Sequence, residues 1–230
     1  MGTVKRESKH RLDRDQVVAI AMDLADREGL DAVTIRRLAS ELGVTPMALY
    51  WHFEDKQALL DALSDQLWFD ARDRARAIVI DDGDDEWAQL RVMISVMIEV
   101  FREHPALAMW APFRVTECEP GLEVTESTLD LLGRVGMGPE KAAEVARYIL
   151  SAAVMLVSSQ PGLAIADASL REEMKRHKQA KLLSLSPDRY PHIVAACPYL
   201  IDCDAPERYY DLGVELIVGG MRAASASPVA

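Results

Sequence analysis

The sequence predicts an all-α chain in two parts, a small head of three short helices and a larger helical body. Three observations predict it. Apolar residues recur at helical rather than alternating spacing along nearly the whole chain. N-cap residues, glycines and prolines fall at the ends of those runs. Half of the 230 residues are hydrophobic, enough for a sizeable core, and no stretch approaches the roughly 20 uninterrupted apolar residues of a membrane span.

The first helix is expected over residues 13–28, with Val17, Ile20, Ala21, Leu24 and Ala25 on one face and Gly29 just past its end. A short second helix starts from Thr34 as N-cap, buries Leu38, Ala39 and Leu42, and stops at Gly43. Val44 makes the turn. Thr45 as N-cap and Pro46 at the first helical position open a third helix over residues 47–53. A long fourth helix runs from Asp55 toward Val79 with a stripe of Leu60, Leu63, Leu67, Ala71, Ala75 and Ile78.

The acidic cluster 81–86 interrupts the pattern. The helix expected over residues 87–104 is apolar on most of its circumference, with a polar arc of Arg91, Ser95, Glu99 and Arg102, so it belongs at the centre of the body. Pro105, Pro112 and Pro120-Gly121 punctuate the next stretch, around a short helix at 106–110. Helices are then expected over 122–135, from Gly138-Pro139 to Ser159 with a stop at Pro161-Gly162, and over 170–185. Ser186-Pro187 and Asp204-Ala205-Pro206-Glu207 read as two further starts, the second in capping-box form. The last helix reaches about Ala223, before a frayed tail.

The net charge of −11 argues against a nucleic-acid partner until its distribution is considered. Residues 1–14 hold five Lys/Arg against two Asp/Glu, and residues 1–56 hold nine against ten, so the acidity lies in the remainder. The basic tip is either an arm for DNA or a solubilising tail. Cys118, Cys197 and Cys203 are odd in number and lack CxxC spacing, which suits a reducing cytoplasm and argues against a disulfide framework or a cysteine zinc site. The N-terminus has no apolar signal region. No triad, paired-carboxylate, phosphate-loop or HExxH pattern supports catalysis, so no enzyme activity, metal or cofactor is expected.

The informative segment is Thr34–Phe53, TIRRLASELGVTPMALYWHF. Two short helices meeting across a glycine-containing turn form a helix-turn-helix, whose second helix enters the major groove while the first crosses the backbone. Leu49 and Phe53, four apart, can pack inward and turn Met47, Tyr50 and Trp51 elsewhere; the alternative makes Tyr50 and Trp51 core aromatics.

Residues 28–63, EGLDAVTIRRLASELGVTPMALYWHFEDKQALLDAL, resemble the DNA-binding region of the tetracycline-repressor (TetR) family, densely so in LYWHF-x-x-K-x-ALLDAL. The resemblance implies an all-α fold with an N-terminal three-helix helix-turn-helix DNA-binding domain and a larger helical ligand-binding and dimerisation domain. It implies a division into residues 1–58, 59–224 and a tail, 225–230. Arg36 matches a base-reading position. Met47, Ala48 and Tyr50 match recognition-helix positions facing bases or phosphates. Trp51 and His52 match positions near the backbone, and Lys56 matches a phosphate-binding lysine. Thr34 and Thr45 match N-caps whose hydroxyls and helix amides can face phosphates. Pro46-Met47-Ala48 stand where the tetracycline repressors carry Gln-Pro-Thr, so their operator sequence does not carry over.

The implied function is a cytoplasmic, homodimeric transcriptional regulator, a repressor released from a palindromic operator by an apolar or aromatic small molecule. The alternatives are a small-molecule-binding protein or enzyme that keeps a helical head without binding DNA, and an activator with the same fold. Met93, Met97, Phe101, Met109, Trp110, Phe113, Tyr148 and Met155 either line an adaptable ligand pocket or are plain core. His104 joins them because a histidine nearby helps bind a metal–drug complex in the tetracycline repressors; His104-Pro105 also reads as helix punctuation. Small residues at 142–153, and Leu212, Leu216, Ile217, Gly219 and Gly220, mark two helices that the family uses in a four-helix dimer interface. Intramolecular packing is the other reading.

Overall fold

A computed structural model describes residues 12–78, 85–160, 167–201 and 206–226. The basic arm through Arg11, most of the acidic cluster, Pro161-Gly162, Cys203, the capping residue Asp204 and the end of the tail lie outside the described residues. Of the described residues 81% are helical, and none lies in a strand. Two compact units form, Met1–Val79 with Glu99–Ser127, and Ile80–Ile98 with Thr128–Ala230.

In the first unit the helices are α1 (Arg14–Glu28), α2 (Ile35–Glu41), α3 (Pro46–Tyr50) and α4 (Lys56–Ala77). The end of α5 (Glu86–Glu103) comes next, with α6 (Pro105–Ala108), α7 (Ala111–Arg114) and the start of α8 (Glu119–Arg134). Local chemistry sets the starts. The side chains of Asp13, Thr34 and Asp55 each accept a backbone N–H in the first turn of α1, α2 and α4. Leu24, Leu38, Leu49, Phe53, Leu63 and Leu67 are fully or almost fully buried between these helices. The buried Trp68 donates its indole N–H to the carbonyl of Ala111 at 3.1 Å and meets Phe101 edge-on at 5.9 Å. The Arg114 guanidinium reaches Asp65 at 2.9 and 3.2 Å, fixing α7 to α4.

In the second unit lie the start of α5, the end of α8, α9 (Pro139–Ser158), α10 (Ala168–Leu183), α11 (Pro191–Ile201) and α12 (Pro206–Ala226). α9 packs on α12, whose Gly213 lets Leu156 lie where a Cβ would stand 2.7 Å from its methyls. Tyr209 donates to the Leu156 carbonyl at 3.1 Å and Tyr210 to Gln160 Oε1 at 2.7 Å across the same contact. α10 packs against α11 and buries no residue of its own.

Several elements differ from expectation. Pro120-Gly121 sits inside the first turn of α8, where proline is tolerated, and a Cβ at Gly121 would collide with the Val115 carbonyl oxygen. Ser186-Pro187 opens a turn, and the helix begins at Pro191. The α4 stripe fades at half-buried Ala75 and exposed Ile78, while Leu59, Ala62 and Trp68 join the core. Leu42 is half-buried and Ile35 takes its place inside. α12 continues past Ala223 to Ala226.

Candidate nucleic-acid interface

The turn between α2 and α3 is held by backbone chemistry. Val44 N–H donates to the Ala39 carbonyl at 2.9 Å and Gly43 N–H to the Ser40 carbonyl at 3.3 Å, the paired bonds of a Schellman cap. The cap needs a left-handed residue, and Gly43 has φ 64°. α3 then presents its short cylinder with Leu49 at 0% and Phe53 at 2% exposure anchoring one side. The other side carries Met47 at 66%, Tyr50 at 49% and Trp51 at 84% exposure, so neither aromatic is core.

The remaining sequence-predicted residues lie on α2, along α3 and its flanks, and at the start of α4. Arg36 is exposed on α2 and has no ion pair or hydrogen bond among the described residues. Lys56, exposed, is the first residue of α4. Thr45 and Pro46 are exposed at the start of α3, and Ala48 and His52 are half-buried. Thr34 Oγ1 accepts the Arg37 N–H at 3.1 Å and is spent on the cap. Thr45, expected to cap in the same way, makes no side-chain cap bond and leaves its hydroxyl uncommitted.

Cross-element contacts add what the sequence does not display. Arg37, next to Arg36, is held by Glu28 at 2.8 Å and Glu41 at 3.3 Å. Glu41 also takes Arg27 at 2.7 Å, and Arg27 takes Asp23 at 2.9 Å. The Arg27 hydrogen bond holds the Glu41 carboxyl below the usual carboxylate range. Glu28 raises Arg37, and Glu41 and Asp23 raise Arg27. Only the i,i+4 pairs of this network are visible as spacing. The Arg14 guanidinium lies 5.2 Å from the centroid of the Phe53 ring.

The residues expected to bind ligand divide between the units. In the first, Phe101 is core, Trp110 is half-buried 6.1 Å from the Phe113 ring, and Met109 and Phe113 are exposed. His104 Nδ1 donates to Asp26 Oδ2 at 2.6 Å, joining the end of α5 to α1. In the second unit Met97 is buried, Met93 half-buried, and Tyr148 and Met155 are exposed on α9. Among the described residues no three His, Cys, Asp or Glu side chains group as a metal site, and no helix is long and apolar enough to cross a membrane.

A glycine-turned helix pair, an anchored α3 and an exposed basic and aromatic face define a helix-turn-helix DNA-binding regulator. Residues 17–63 match the bacterial regulatory proteins of the tetR family, and residues 81–225, well over half the chain, match the tetracyclin repressor-like C-terminal domain. The chain belongs to the TetR family, and it is a DNA-binding transcriptional regulator with a C-terminal portion of the ligand-responsive tetracycline-repressor type. The class G tetracycline repressor of Vibrio anguillarum is 25% identical over 96% of this chain and 98% of its own. The class C repressor of Escherichia coli is 47% identical over 58 residues, a quarter of this chain and 26% of its own. Among solved structures, ActR of Streptomyces coelicolor in complex with (S)-DNPA superposes with a TM-score of 0.73 at 26% identity, covering 93% of this chain and 98% of ActR.

Proposed function

We propose that this chain is a homodimeric, cytoplasmic repressor that reads a palindromic operator through α2 and α3 and leaves it on binding an apolar or aromatic small molecule. The observation that carries the DNA reading is the uncommitted face of Arg36, Met47, Tyr50, Trp51 and Lys56 beside buried Leu49 and Phe53. In this reading Arg36, Met47, Ala48 and Tyr50 meet base edges or phosphates. Thr34, Thr45, Pro46, Trp51, His52 and Lys56 lie along the backbone. Two heads on half-sites one turn apart, about 34–36 Å, require a dimer.

Support for the effector comes from ActR, whose structures hold (S)-DNPA and actinorhodin, and from the methionine-bearing α5 with Met93 and Met97. The effector acts by binding the DNA-free state more tightly, a coupling of about 1–3 kcal/mol.

The test starts from duplexes selected from genomic fragments, with binding measured by fluorescence anisotropy against salt. Lys56→Ala is expected to weaken selected and random duplexes alike and to flatten the salt slope by about one, because one phosphate contact is lost. Arg36→Ala is expected to relax preference at one base pair per half-site, at a cost of about 1–3 kcal/mol. A folded wild-type protein that selects no duplex at low salt would overturn the reading.

A further inference from the structure

We infer that Glu28 and Glu41 are positioning residues that together keep Arg37 off the DNA, so that α2 meets its operator with one arginine rather than two. The inference rests on the DNA-reading face proposed above. Arg36 and Arg37 are neighbours on a helix that crosses the phosphate backbone, and both side chains are long enough to seek phosphates. The structure treats them differently. Arg36 is uncommitted, whereas Arg37 faces two carboxylates, Glu28 at 2.8 Å and Glu41 at 3.3 Å.

Glu41 is the hub. Its Oε1 takes Arg27 and its Oε2 takes Arg37, and its side chain is the least exposed of the group at 24%. A single exposed ion pair contributes little and would be exchanged readily for a phosphate. This one is a chain of alternating charge, Asp23–Arg27–Glu41–Arg37–Glu28, with three carboxylates to two guanidiniums. The surplus negative charge both retains Arg37 and repels phosphate from that edge of α2.

The consequence concerns selectivity. A phosphate contact strengthens binding to every sequence, whereas a base contact strengthens binding to one. Withholding Arg37 from phosphate therefore lowers the non-specific background without touching the base-reading face. Glu28 and Glu41 together set the ratio between the two.

The experiment compares wild type, the pair Glu28→Gln/Glu41→Gln, Arg37→Gln, the triple variant and Asp23→Asn on a genomically selected duplex and a short random duplex. Affinity is measured against salt and folding is checked by thermal melting. Glu28→Gln/Glu41→Gln is expected to steepen the random-duplex slope of log affinity against log salt by about 0.9, one added phosphate contact, and to shrink the preference for the selected duplex. The triple variant returns the slope to the wild-type value. Asp23→Asn removes a carboxylate of the same cluster without freeing Arg37 and leaves the slope unchanged, as does Arg37→Gln. The inference is overturned by an unchanged slope in the folded pair variant, by a triple variant that keeps the steepened slope, or by Arg37→Gln flattening it, since Arg37 would then already hold a phosphate. Selection of no duplex by the wild type would overturn the DNA reading itself, and the role of Glu28 and Glu41 with it.

Discussion

Ser64 sits wholly buried on α4, and its hydroxyl finds no hydrogen-bond partner among the described residues. Leu59, Leu60, Ala62, Leu63, Leu67, Trp68 and Ala71 of the same helix are buried with it, so α4 is enclosed on more than the single stripe its spacing suggests. In the sequence Ser64 reads as one polar residue on an otherwise apolar helix face, which normally means solvent. It is inside because α1, α6 and α7 all pack on α4. A buried donor left without a partner costs about 1–3 kcal/mol. Ser64→Ala removes the unsatisfied group and little volume, so it should raise stability by about 1 kcal/mol. Urea unfolding would show a higher midpoint at unchanged slope. A lower midpoint would mean that the hydroxyl is satisfied in solution. The residues at the DNA face invert this case. Met47 and Trp51 are apolar and exposed, which folding alone does not favour and contact with a nucleic acid does.

Elements are legible in the sequence where their signals are local. Asp13, Thr34 and Asp55 start helices, Pro46, Pro105 and Pro139 occupy first helical positions, and Gly43 supplies the left-handed turn. The face of α3 is legible because Leu49 and Phe53 are four apart. The features that stay hidden depend on relative placement. His104 and Asp26 are 78 positions apart, Arg114 and Asp65 are 49 apart, and the Val115 backbone that demands Gly121 leaves no trace in periodicity. The His104 contact has a pH signature. The Asp26 hydrogen bond raises the imidazolium above its ordinary value of 6.5, against partial burial, with the carboxylates of Asp26, Asp70 and Glu103 adding to the rise. Glu103 is itself tied to Arg74 at 2.7 Å. A raised folded value means that the contribution to stability is complete below the unfolded value and is lost as pH rises through the folded one. The carboxylates held low, including Glu41, Glu86 and Glu103, act in the opposite sense and in the acid range. Thermal stability should therefore fall as pH rises from the ordinary imidazole value of 6.5 through the raised folded one, and Asp26→Asn should flatten that fall. An identical pH profile in Asp26→Asn would show that the contact between α1 and the end of α5 does not stabilise the fold.

At the scale of the whole molecule the second unit has an unfinished surface. α9 turns Ala142, Ile149, Ala153 and Val157 inward, so much of its small-residue stripe serves its own chain. α12 likewise buries Val214, Val218 and Met221, and its Gly213 admits Leu156. The opposite faces keep Tyr148 and Met155 on α9 and Leu212 and Leu216 on α12, exposed by 58–73%. Gly219 and Gly220, one to two turns beyond Leu212 and Leu216, have open space where a Cβ would stand, which permits close approach of another helix. An isologous pairing would cover the same apolar face on both protomers and present two heads to a palindrome. Sedimentation at micromolar concentration should then give twice the 25.5 kDa chain mass. Leu216→Glu places a charge in the covered face at a position that is exposed in the single chain, so it should leave the fold intact, yield monomers and abolish preference for palindromic over half-site DNA. A wild-type protein sedimenting as a monomer would sink the dimer. A Leu216→Glu variant that stays dimeric would move the interface to another face of the body.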